Sequence, residues 1–452
     1  MGRARIYAIS CALQIASCGA PEPVPTAKCP ENKPILTAAK PAAASSAPFA
    51  ITFMPSFEPP ELRVKVKAHS AGRAPFDLEY VLPAAPVGDV VVSSAGFVRF
   101  YGEALKLPTW PEKTHVVIDF DLSKAPVEDV ASSFGNGKHV EIDIAPSELP
   151  KGVWMAGTVF TANFDAYEGI DHFSWIGYSA FDPRWVAAEV ATLRSAVGQY
   201  FGDKNDPNHP IGFSMLFTAD RRSAIESSPI SIYPRWHGVF GVVDIDAPWS
   251  ASARMQVALA LVGRYLSVPG YARYAAREIL LASGTMTPAE YEQEVNGEIA
   301  ATLFADKSPV AAGTARDALD CNRKDARTMQ KMLREFATTG KMDTLSGEMD
   351  FGKCFAKTNM KFDELDLGFD EGKTRAQKLL VGVHGAAQKA GLREGEELVS
   401  IRWDEGNSDK PVRVVVSRDG KNVEVKYRPI GRSKTAPGWH LVSGVDLATC
   451  AR

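Results

Sequence analysis

Apart from Ile6 to Ala16 near its start, the sequence has no long apolar run, and nothing else in it approaches the roughly 20 consecutive apolar residues that a membrane-spanning helix needs. It has no excess of charge of either sign. There are 51 Lys and Arg against 54 Asp and Glu, a formal net charge of -3, and the basic residues are scattered. That balance offers no phosphate-attracting field, so nucleic acid is not expected as a partner. Cysteine is sparse, six in 452 residues, and none stands in CxxC or other metal-ligand spacing. What is present, 45% hydrophobic and 23% charged residues, suits a water-soluble globular body, and the length gives room for two or three domains.

Arg3 and Arg5, followed by the apolar stretch, have the layout of an export signal. Ile15-Ala16-Ser17-Cys18 resembles a bacterial lipobox, which would make residues 1–18 a lipoprotein signal peptide and Cys18 an acylated N-terminus. An ordinary secretory signal cut near Ala20 is the alternative. Either way the chain is expected to be exported, and Gly19 after the cysteine resembles outer-membrane lipoproteins that face the periplasm. The lipid would be the only membrane contact, each buried methylene contributing about 0.8 kcal/mol. Residues 19–48, rich in Pro, Ala, Lys and Ser, read as a flexible tether that cannot offset its ordering entropy by burial. Export puts Cys29, Cys321, Cys354 and Cys450 in an oxidising compartment, where Cys321 and Cys354 either bridge or stay as buried thiols.

Residues 49–180 read as β. ELRVKVKAHS, GDVVVSSAGFVRFYG, KTHVVIDFDLS, KHVEIDIAP and GVWMAGTVFTANF alternate or run apolar between Gly, Pro, Asp and Asn turns, the pattern of a sandwich-like domain. Asp165, Glu168, Asp171 and His172 gather oxygen and nitrogen donors suited to a divalent cation. Without a Gly-hinged binding-loop spacing, a solvated polar loop is the expected reading.

Helical territory spans 181–360. DPRWVAAEVATLRSAVGQYFGD puts Trp185, Val186, Val190, Leu193, Val197 and Tyr200 on one face, with Asp182 as cap and Pro183 in the first turn. The stretch Trp249 to Gly284 reads as two helices hinged at Val268-Pro269-Gly270. The first has Ser250 or Ser252 as N-cap and is apolar nearly all round. The second opens on Pro269 and buries Tyr271, Tyr274, Ala275, Ile279 and Leu280. Thr287-Pro288-Ala289-Glu290 is a capping box opening the next helix, to about Ala305.

These helices and TMTPAEYEQEVN resemble the end of the catalytic domain in the glycyl aminopeptidase family of gluzincin metallopeptidases. In that family a helix carrying HExxH supplies two zinc-binding histidines and a general-base glutamate, and a later helix opening with an EGFxxY-like motif supplies the third ligand. Pro269-Gly270-Tyr271-Ala272-Arg273-Tyr274 stands at the second motif, so Pro269, with no donor atom, occupies the vacated ligand position. The preceding helix has neither His nor Glu between Ser250 and Leu266. An oxyanion-stabilising tyrosine of the family, three residues before Gly313, is Val310 here. Zinc catalysis needs three side-chain ligands and an open position, so the resemblance implies a zinc-site-deficient member with no catalytic residue, metal or cofactor. His237 reads as structural, and Glu278 has no histidine near it in sequence. The competing readings are a working zinc aminopeptidase with ligands among His172, His209 and His237, and a purely structural envelope lipoprotein.

In residues 361–430, DLGFDEG, LLVGVHGAAQKAGLREGEELVSI and VRVVVSRDGKNVEVKYRP resemble a PDZ domain. The resemblance implies that Asp366, Leu367, Gly368 and Phe369 form a loop that holds a peptide's C-terminal carboxylate beside a sheet edge. Only RWDEGNSDKP separates Ile401 from Val412, too short for the helix that walls the usual groove, so peptide capture and a packing role are both open. Residues 431–452 are left as a tail whose Trp439 and Leu441 pack on that domain. The expected architecture is multidomain α+β: an N-terminal β-sandwich-like domain, a mainly helical gluzincin-like (thermolysin-like) catalytic-type domain and a C-terminal PDZ-like domain. The expected role is binding of a polypeptide or partner protein at the bacterial cell envelope.

Overall fold

The computed structural model describes residues 48–69, 75–84, 90–93, 96–110, 112–166, 169–202, 212–217, 230–236, 238–304, 331, 333–335, 337, 355–403 and 408–445. The signal with Cys18, the tether, Cys29, Cys321, Cys354, Cys450, His209, His237, Val310 and Gly313 lie outside the described residues.

Strands β1 (Phe49–Phe57), β2 (Pro60–Ala68), β3 (Phe76–Pro83), β4 (Val90–Ser93), β5 (Phe97–Tyr101), β6 (Thr114–Phe120), β7 (Asp129–Ser132), β8 (Gly135–Asn136), β9 (His139–Ile144) and β10 (Val153–Gly157) build two five-stranded sheets. Their orders are β3-β2-β1-β6-β9 and β4-β5-β10-β7-β8. The period-2 alternation of β1 and β2 sends Phe49, Ile51, Phe53, Leu62, Val64 and Val66 into a shared core. There Phe53 meets Phe100 at 4.7 Å between ring centroids, and Phe100 stacks on the fully buried Trp154 at 5.2 Å.

The β pattern of residues 159–176 belongs to the next layer. Strands β11 (Val159–Ala166), β12 (Gly169–Ile176), β13 (Gly212–Phe217), β14 (Ile230–Arg235) and β15 (Gly238–Val243) form a third sheet, ordered β11-β12-β13-β15-β14. Parallel pairing of β12 with β13 needs a crossover, which helix α1 (Pro183–Phe201) provides. Residues 159–176 thus pair with strands that lie beyond residue 180, in a sheet that packs with helices. In α1 the Asp182 carboxylate accepts the Arg184 N–H at 2.9 Å, as its N-cap role requires. Its buried stripe runs through Val186, Val190, Leu193 and Val197, which leaves Trp185 at the flank of the stripe with 52% of its surface exposed, against expectation.

Helices α2 (Ala251–Val262), α3 (Pro269–Ala282) and α4 (Pro288–Phe304) pack with α1 against this sheet around one apolar core. The Thr287 capping box forms: Glu290 accepts the Thr287 N–H at 2.8 Å, and Thr287 Oγ1 accepts the Glu290 N–H at 3.2 Å. None of the described helices is long and apolar enough to cross a membrane.

Strand β16 (Phe355–Leu365) leads out to a module of α5 (Glu371–Gln377), α6 (Gly385–Lys389), β17 (Glu397–Arg402), β18 (Val412–Arg418) and β19 (Lys421–Tyr427), and β20 (Ile430–Leu441) leads back. β16 and β20 pair antiparallel, so the module hangs on a two-stranded ribbon. The expected tail is thus largely a strand. Trp439 packs on the helical core instead of on the module, because Asn296 of α4 accepts the Trp439 N–H at 2.9 Å and donates to its carbonyl at 2.7 Å.

Candidate functional site

The helices that carry the family resemblance, α2 and α3, meet the edge of the third sheet. Of the two candidate caps, Ser250 takes the role, its hydroxyl accepting the Ala253 N–H at 3.3 Å. Helix α2 buries Ala253, Met255, Val257, Ala258, Ala260, Leu261 and Val262. Its two long polar side chains have separate tasks. Arg254 turns to the neighbouring helices, forming ion pairs with Glu189 of α1 at 2.6 Å and Glu290 of α4 at 3.2 Å, while Trp249 Nε1 donates to Glu189 at 3.3 Å. Burial raises the Glu189 carboxyl above its usual range, against the pull of Arg254.

Gln256 turns to the sheet. Its Oε1 accepts the N–H of Ile232 at 3.2 Å, and β14 is the outermost strand. Two residues on, at the next position of β14 with the same orientation, stands Pro234, which has no N–H. An amide from α2 and a proline thus remove donors that this edge would offer to an incoming strand.

Helix α3 begins at Pro269, with Val268 as an N-cap that makes no side-chain capping bond. Pro269 contributes a ring and no ligand atom. Within α2, Met255-Gln256-Val257-Ala258-Leu259 contains neither a histidine nor a carboxylate. Among α2's residues, the one polar side chain that meets the sheet edge was the available signal.

Charge collects on the other side of α3. Arg277 is fully buried and pairs with Glu298 of α4 at 2.8 Å. Arg273 reaches Glu294 at 2.7 Å and also pairs with Glu298. Burial alone would lower both guanidinium values, but the surrounding glutamates outweigh it and hold them raised. Glu278, without a histidine, accepts the Tyr291 hydroxyl at 2.8 Å, and burial raises both groups above their ordinary values.

The remaining candidates are dispersed. Glu168 lies outside the described residues, as do the side chains of Asp165 and Asp171, while His172 contacts Asn163 at 2.8 Å. Among the described residues, no group of three or more His, Cys, Asp or Glu is set to hold a metal ion.

In the C-terminal module the loop of Asp366, Leu367, Gly368 and Phe369 is bonded internally. Asp366 accepts the Gly368 N–H at 2.8 Å and contacts His384 Nε2 at 3.2 Å, and the Gly368 carbonyl accepts the His384 N–H at 2.7 Å. Gly368 has φ +75°, and a Cβ there would stand 2.6 Å from the His384 carbonyl oxygen, so only glycine fits. Phe369 is buried. The chain then enters α5 instead of a strand, and residues 378–380 run along β17, with Leu398 N donating to Lys378 O at 2.8 Å and Leu380 N to Glu396 O at 2.8 Å. One edge of that sheet is therefore occupied by the chain itself.

This mixed α+β architecture is similar to M1 aminopeptidase folds. An aminopeptidase N family protein from Idiomarina loihiensis superposes with a TM-score of 0.54 at 11% identity, covering 87% of this chain and 98% of that one. An M1 zinc metallopeptidase from Deinococcus radiodurans gives 0.43 at 12% identity over 64% of this chain and 85% of that one. Legionella pneumophila aminopeptidase A, in complex with aspartic acid, gives 0.40 at 9% identity over 87% of this chain and 57% of that one. No family model and no curated protein matches the sequence. At these identities the likeness is one of fold, and the first of the three carries it.

Proposed function

We propose that this chain is a peptidase-like protein, akin to the glycyl aminopeptidases, in which the zinc site has been given up and binding of a polypeptide or partner protein remains. The observation that carries the reading is the chemistry of the α2–α3 hinge: Met255, Gln256 and Leu259 on α2 and Pro269 on α3 offer no histidine or carboxylate where the resemblance requires three ligands and a base. Binding can outlast catalysis at such a place, because uniform binding of a chain needs no metal. Export through residues 1–18, lipidation at Cys18 and residence at the outer membrane belong to the same proposal, resting on the N-terminal sequence. For the PDZ-like module the proposal is a packing role, supported by the occupied edge of β17.

Elemental analysis of tag-free protein, dialysed against excess zinc and then against buffer, tests the reading. No retained zinc is expected. About one zinc per chain, as a catalytic site would hold, would overturn it and point to ligands such as His172, His209 and His237.

A further inference from the structure

The outer face of the N-terminal sandwich carries an array of ionisable groups that peptidase-like chemistry does not use. Strands β6 and β9 are antiparallel, with His115 opposite Asp143, Val117 opposite Glu141 and Asp119 opposite His139. Period-2 alternation puts the five ionisable side chains on one face. His139 Nδ1 lies 2.6 Å from Asp119 and its Nε2 2.9 Å from Glu141, while His115 Nδ1 lies 3.1 Å from Asp143 and its Nε2 3.5 Å from the other oxygen of Glu141. The groups form a line: Asp119, His139, Glu141, His115, Asp143. Every ring nitrogen faces a carboxylate oxygen, which can only accept. A neutral imidazole has one N–H and one lone pair, so each ring satisfies both neighbours only as the doubly protonated cation.

We propose that this array is a proton-operated lock: with the central His139 imidazole protonated it holds β9, the edge strand of its sheet, onto β6, and it releases β9 as pH rises. The other charges on this face belong to strands further across the sheet. Thr52 of β1 stands beside Asp119, then Lys65 and Lys67 of β2, then Glu79 and Asp77 of β3, with Lys65 and Glu79 3.8 Å apart. Glu79 pairs with Lys65 and with Arg63 of β2, which also pairs with Glu61, and β1 separates all of these from β6 and β9. Hydrogen bonds from Asp119 and then Glu141 raise the His139 value, and the hydrogen bond from His139 lowers that of Glu141. A raised histidine contributes stability that is complete below its unfolded value of about 6.5 and is lost as pH climbs through the folded value; a lowered glutamate loses its contribution only as pH falls through its folded value. The lock is therefore closed in mildly acidic water and opens on the alkaline side.

The test uses the full chain in two measurements. Hydrogen exchange of the β9 amides, corrected for intrinsic rates, is compared at about pH 6 and about pH 8 in the wild type and in His139→Gln. Protection across β9 is expected to fall severalfold at the higher pH in the wild type, with β1 unchanged, and to lose this pH dependence in the variant. An NMR titration of the wild-type histidines, which stands even where the variant fails to fold, is expected to place the His139 midpoint above the ordinary histidine value. A His139 midpoint at or below that value, or an unaltered pH response in His139→Gln, would overturn the proposal.

Discussion

Helix α3 has two unlike sides. Toward α2 its opening residue is a proline, and α2 itself carries no histidine or carboxylate. Toward α4 it presents Arg273, Arg277 and Glu278 to Tyr291, Glu294 and Glu298, a dense set of charges shielded from water. The chain can bury charge, and does so where each charge finds a fixed partner between two helices. Polar chemistry is thin at the α2–α3 hinge, where α2 carries no histidine or carboxylate and α3 opens on Pro269. The difference teaches that the neutral hinge is a local property, since the same helix carries the partly buried Arg273 one turn on and the fully buried Arg277 about two turns on.

The comparison can be broken most forcefully from the charged side. Glu298→Gln leaves Arg273 and Arg277 short of their shared carboxylate and is expected to cost about 3–5 kcal/mol, the range for uncovering one member of a buried ion pair, read by urea denaturation. A loss within experimental error would show the cluster to be incidental. Next in size is Asn296→Leu, which strips both bonds from the Trp439 backbone and is expected to cost about 1–3 kcal/mol through unsatisfied buried groups, with the ribbon of β16 and β20 exchanging faster in a hydrogen-exchange experiment. On the neutral side, Gln256→Leu removes one hydrogen bond from the β14 edge. Its expected cost is about 1 kcal/mol, measured in the same denaturation series, and a loss as large as that of Glu298→Gln would erase the contrast between the two sides.

Much of the fold was legible because its signals are local. The Asp182 cap, the Thr287 capping box, Pro269 at the start of α3 and the alternation in β1 and β2 are each read within a few residues. What escaped depends on residues far apart in the chain. The strands of residues 159–176 look like those before them, and only the parallel pairing across α1 assigns them to the third sheet. Residues 431–452 read as a tail because the partners of the strand within them, β16 and Asn296, stand about 70 and 140 positions away. Helix α5, which follows the Phe369 loop, was not read from the sequence, although its Asp370 cap, accepting the Lys373 N–H at 3.0 Å, is a local sign of it. The role of Gln256 was not legible, since nothing in the sequence places β14 beside α2.

The most direct test of the central claim restores the ligands at the assigned positions. The variant Met255→His, Gln256→Glu, Leu259→His, Pro269→Glu is analysed for zinc beside the wild type, with circular dichroism to confirm that both are folded. The account predicts about one zinc per chain in the variant, the content of a site with three protein ligands, and none retained by the wild type. A folded variant that holds no zinc would contradict the assignment of Met255, Gln256, Leu259 and Pro269 to the vacated site.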